Sequence, residues 1–169
     1  MLANNPELFK KEAEAICKLV QEDGILFRPY SKTNLPYFSA LSPEEQTEIL
    51  HDLKTYHRIC KETMNASGSL RYTRIATEIA LKEWGLEINP QHLEVVEDHH
   101  LVEFYSLNEK QIFRTFRFFE TSSYTLEDIY CRKWYHIFER SPEDEAYIDR
   151  KSTRLNSSHT DISRMPSSA

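Results

Sequence analysis

The chain has 169 residues, 21 of them basic and 27 acidic, for a net charge of −6. That balance argues against a general nucleic-acid binder, whose surface must neutralise phosphates. Three glycines (Gly24, Gly68, Gly85) write no phosphate-cradling loop, no apolar run approaches the ~20 residues that cross a bilayer, and three scattered cysteines argue against a disulfide framework and suit a reducing cytoplasm.

Taken in order, Asn5-Pro6 opens a first helix, with Asn5 as N-cap and Pro6 at the first helical position, where its missing N–H costs nothing. Leu8, Phe9, Glu12, Ala13, Ile16, Leu19 and Val20 mark one stripe, and Gly24 ends it. Residues 31–39 read as a loop bracketed by Pro29 and Pro36. Ser42-Pro43-Glu44-Glu45 is a capping box that starts a second helix running to about Met64, with Ile49, Leu50, Leu53, Tyr56, Cys60 and Met64 facing inward. Ser69 caps a third helix to about Trp84, burying Leu70, Ile75, Ile79, Leu81 and Trp84, and Gly85 closes it.

The connector from Leu86 to His100 admits either a short helix started by Asn89-Pro90 or a strand over Leu93–Glu97. Two β runs follow, Leu101–Leu107 and Gln111–Thr115. The polar residues Asn108 to Gln111 lie between them, with Asn108 suited to positive φ in the turn. Beyond Thr115 the apolar period becomes helical, and Thr125 three residues before Asp128 is a helix-start signal. The expected class is α+β, a three-helix unit followed by a hairpin and short helices.

Candidate chemistry is sparse. Glu97-Asp98-His99-His100 offers carboxylate and imidazole ligands, but adjacent side chains diverge and cannot close a metal site alone. His57 and Cys60, at i and i+3, supply two metal ligands without a visible third. Neither a Gly-x-Ser-x-Gly elbow nor a His-Glu-x-x-His pair occurs, so no catalytic residue is assigned and a metal-dependent enzyme ranks last. Arg114 and Arg117 are read as a salt-bridged or solvated pair rather than an anion site.

The hairpin running into short helices, with the segment Ser123-Tyr124-Thr125-Leu126-Glu127-Asp128-Ile129-Tyr130-Cys131-Arg132-Lys133-Trp134, then Ile137-Phe138 and Pro142-Glu143-Asp144, resembles the first half of a PAS domain. The two glycines usual in that family's segment are here Ser123 and Cys131, and the Asn usual after the second strand is Thr115. The resemblance implies a sheet continued after the helices, its first strand paired on both sides. It implies a bacterial-type sensory or signal-transduction protein whose output domain lies outside this sequence. It also implies a pocket wall of Phe116, Phe119, Tyr124 and Trp134. In some members that pocket holds haem, flavin or a metabolite and in others it is only core, so the cofactor stays unassigned. The family's flavin-adduct motif is absent, and no photochemistry is expected of Cys131. Partners are a second copy or another protein. The rival reading is an α+β interaction module without a ligand.

Residues 149–169, Asp-Arg-Lys-Ser-Thr-Arg-Leu-Asn-Ser-Ser-His through Ser-Arg-Met-Pro-Ser-Ser-Ala, resemble a translated sequencing-library adapter and are set aside from fold reasoning, as an expression tag would be. The tail holds four basic and two acidic residues, leaving 17 against 25 for the remainder. The expected division is thus a helical module over 1–88, a truncated PAS-like segment over 89–148, and the tail. A lone hairpin is marginal in water, so residues 100–148 are expected not to be independently stable: molten, aggregation-prone, or dependent on the helices for cover.

Overall fold

A computed structural model describes residues 4–137. Among these, the expected Phe138, Pro142-Glu143-Asp144 and the adapter-like tail have no place, since they lie outside the described residues. The fold is α+β. Compactness divides the chain between Lys133 and Trp134.

Helix α1 spans Asn5–Glu22 and buries Phe9, Ala13, Ile16, Cys17 and Val20. It begins one residue earlier than expected. Asn4 is the N-cap, and Asn5 turns its amide to Gln46 Oε1 at 3.2 Å instead of capping. At the other end Gly24, at φ 74°, lets its own N–H reach Gln21 O and the N–H of Ile25 reach Val20 O. These two bonds satisfy carbonyls that the helix would otherwise leave open.

The expected loop 31–39 contains a short helix, α2 (Pro36–Ser39). Its partner lies far away in sequence: Glu127 Oε1 accepts from the N–H groups of Tyr37 and Phe38, at 3.0 and 3.2 Å. Helix α3 (Pro43–Ser67) has both bonds of the Ser42/Glu45 capping box and ends at Gly68, φ 75°.

Helix α4 covers Thr73–Glu83, with Tyr72 rather than the expected Ser69 at its cap position. Ser69 is drawn away because its hydroxyl and the N–H of Leu70 both donate to Asp23 Oδ2, at 3.0 and 2.9 Å. Asp98 receives the Thr73 N–H instead, at 3.0 Å. The buried face of α4 is Thr73, Ala76, Thr77, Ala80 and Leu81, with Ile75, Ile79 and Trp84 only partly covered. Asn89 caps α5 (Pro90–Glu94), so the connector takes its helical alternative.

Strands β1 (Glu103–Tyr105) and β2 (Gln111–Arg114) pair antiparallel, Glu103 opposite Arg114 and Phe104 opposite Phe113, with an irregularity after Phe104. Among the described residues the sheet has these two strands. Positive φ in the turn falls on Glu109, at 62°, rather than on Asn108. Helices α6 (Arg117–Thr121) and α7 (Leu126–Cys131) follow, α7 opened by the reciprocal Thr125/Asp128 box. Helix α8 (Trp134–Ile137) belongs to the second unit, and its Trp134 and Tyr135 rings meet edge-on at 5.7 Å.

One core joins α1, α3 and α4 to β2, α6 and α7. Tyr56 of α3 is its hub. Its ring stacks on Phe116 at 5.7 Å and touches Phe113 and Tyr130 at 6.0 Å, while its hydroxyl donates to Arg114 O at 2.7 Å. Burial pushes that hydroxyl's pKa well up, so it stays a donor. Trp84 closes the far side, edge-on to Phe104 and Phe113.

Candidate functional site

Of the aromatic candidates in the first unit, Phe119 and Tyr124 line one cleft and Phe116 does not. Phe116 is a core ring, 1% exposed and stacked on Tyr56. Phe119 packs on Phe27 with centroids 4.5 Å apart, and Tyr124 lies parallel to Phe118 at 5.8 Å. Trp134 sits in the second unit. Phe119 and Tyr124 do share a surface cleft of about 280 Å³ with Leu26, Phe27, Arg28, Ser122 and Ser123. This cleft was missed from the sequence because Leu26–Arg28 lies ninety residues from the aromatic segment and shares no periodicity with it.

The hairpin carries an unusual buried charge. Arg114 is 4% exposed, bonded through Nη2 to Glu103 Oε1 at 2.7 Å, and its guanidinium lies 3.5 Å over the Phe118 ring. Among the described residues its Nε and Nη1 have no hydrogen-bond partner. Glu103 also accepts from the Tyr105 hydroxyl, which burial and that bond push up to about 12, and Tyr105 accepts from Gln111 Nε2 at 3.2 Å. Arg117 pairs with Glu120 at 2.9 Å, and Arg71 reaches the same carboxylate at 2.7 Å. Arg114 and Arg117 are therefore both salt-bridged, to Glu103 and Glu120 respectively.

The metal candidates are engaged elsewhere. His57 Nδ1 meets Glu12 Oε2 at 2.8 Å, bridging α3 to α1, while Cys60 is wholly buried and its thiol pKa is raised by that burial. His99 Nδ1 lies 3.2 Å from Glu97 Oε2, and His100 Nδ1 accepts from the Glu97 N–H at 3.0 Å. Asp98 caps α4. Among the described residues no three His, Cys, Asp or Glu side chains gather as a metal site. Burial first, then Glu127 and Asp128, lifts the Cys131 thiol well above its ordinary value, so it is not an activated nucleophile.

Three other clefts carry carboxylates. One of about 250 Å³ is lined by Arg71, Asp98, His99, Arg117 and Glu120. A second, of about 590 Å³, includes Glu97 and Asp98, and a third, of about 360 Å³ beside the hairpin turn, includes Glu45, Glu48 and Glu109. Within the described residues no helix is long and apolar enough to cross a membrane. The chain matches no protein-family model, no curated protein and no solved structure.

Proposed function

We propose that the chain is part of a sensory or signal-transduction protein, with residues 89–148 a truncated PAS-like segment and the output domain outside this sequence. The observation that carries the reading is the element order: hairpin, then α6, α7 and α8, with α7 starting at the Thr125/Asp128 box. Signals would enter by contact on the hairpin and shift its packing on Tyr56 of α3, biasing two arrangements of the same core. The decisive experiment is to read the native coding sequence beyond Ile148. Further strand-forming runs joined by Gly or Asn turns within about 60 residues support the reading. A stop codon in that stretch overturns it.

The second reading, an interaction module without a ligand, draws on the apolar side chains left outside beside β1. Leu107 is 99% exposed, Leu101 51% and Tyr105 41%. Sedimentation equilibrium separates the alternatives within this reading. A mass that stays monomeric over a wide concentration range removes self-association and leaves a different protein as partner.

A further inference from the structure

We propose that the cleft between the Leu26–Arg28 segment and the α6–α7 connection binds a small carboxylic acid with a flat apolar body. This inference stands on the cleft alone and goes beyond the signalling reading.

Charge is the first argument. In a chain of net charge −6, every other cleft described above is lined by carboxylates, whereas this one has none and carries the Arg28 guanidinium. Arg28 is exposed and makes no hydrogen bond or ion pair among the described residues. Hydrogen-bonding capacity is the second. Ser123 is likewise without a partner, and the Oγ of Ser122 is a buried polar atom with an unmade bond. A buried hydroxyl left so costs free energy, which rotation about χ1 toward an acceptor in the cleft would recover. All three groups donate, and a guanidinium matches a carboxylate with two parallel bonds.

Shape is the third. The Phe119 ring is held by Phe27 and the Tyr124 ring by Phe118, so two aromatic walls stand fixed before any ligand arrives. A volume of about 280 Å³ suits a single-ring or indole-sized body rather than a dinucleotide or haem. The carboxylate would meet Arg28 and the serines at the rim, with the ring against Phe119 and Tyr124.

Titration of the full chain with phenylacetate, followed by amide resonances, tests this against neutral phenylacetamide. Expected are saturable shifts at Arg28, Phe119, Ser122, Ser123 and Tyr124, with the amide binding about tenfold more weakly. Arg28→Gln should weaken phenylacetate about tenfold while leaving the thermal transition in place, and Lys32→Gln, a nearby exposed charge outside the cleft, should leave binding unchanged. The proposal fails if no saturation is reached by about 10 mM. It also fails if acid and amide bind alike, if Lys32→Gln weakens binding as much as Arg28→Gln, or if the shifts saturate elsewhere.

Discussion

Asp52, on the half-buried flank of α3, shows how one side chain sets a pH dependence. Burial first, then the like charge of Glu48, lifts its carboxyl to about 6 against the opposing pull of His51 and Lys110. The folded state thus holds this proton more tightly than the unfolded state does. Its stabilising share is fully present below about pH 4 and is lost as pH rises toward 6. At roughly 1.4 kcal/mol per unit the ceiling is about 3 kcal/mol, which partial contact with solvent reduces to ~1–2 kcal/mol. Asp52→Asn should therefore raise stability at neutral pH by that amount and give no gain near pH 4. Urea unfolding at the two pH values checks it. An equal gain at both would mean a packing effect instead.

Glu127 marks where single residues stop being legible. In sequence it is one more acid in a helix's first turn; in the fold it is 1% exposed and holds two amides of α2. Arg114, read with Arg117 as salt-bridged or solvated, is salt-bridged to Glu103 but buried, 4% exposed, over Phe118. Glu127 leaves no local mark because its partners lie 90 and 89 residues away, whereas Arg114 is set by the facing strand, through Glu103, and by Phe118. Of the pocket-wall residues, Phe119 and Tyr124 do border a cleft, whose remaining wall, Leu26 to Arg28, carries no motif.

At the level of elements, punctuation that is local was readable and punctuation that is remote was not. The starts of α3, α5 and α7 follow Ser42, Asn89 and Thr125, each bonded within three residues. The start of α4 involves Asp23 and Asp98, and two amides of α2 are held by Glu127, partners that no local pattern shows. Ser42→Ala should cost about 1 kcal/mol, while Thr125→Ala should cost more, ~1–2 kcal/mol, because Thr125 is buried and Asp128 would lose its hydroxyl partner. Paired denaturation curves decide the ranking, and an equal loss would contradict it.

The hairpin turn gives a second expectation at this scale. Glu109 holds φ 62°, a region where Asn is tolerated and most side chains are strained. Glu109→Asn should stabilise by roughly 0.5 kcal/mol, less whatever its 4.0 Å contact with Lys133 contributes. A fall in midpoint would place that contact above the strain.

For the molecule as a whole, the decisive fact is that hairpin and helices share one interior. Phe113 and Phe116 are each 1% exposed because Tyr56 and its neighbours cover them. The expectation that the hairpin segment leans on the helices follows directly. Residues 100–137 produced alone should give collapsed amide dispersion and no cooperative melting, since two strands bury too little by themselves. A sharp transition in that fragment would be the contrary result. The class α+β was legible because the period changes from helix to strand to helix along the chain. That Trp84 would close against Phe104 and Phe113 was not, since periodicity gives the inward face of an element but not its partner.

The bond from Glu127 to the amides of Tyr37 and Phe38 spans 90 and 89 residues. During synthesis, α1 and α3 carry their own stops and can form as they emerge, while α2, which meets Phe9 and Gln46, gains the Glu127 acceptor for two of its amides only after α7 has emerged. The chain therefore assembles with a fixed chronology, these two amides among the last to settle. Pulse-labelled exchange should find the Tyr37 and Phe38 amides gaining protection in step with α7 rather than with α3.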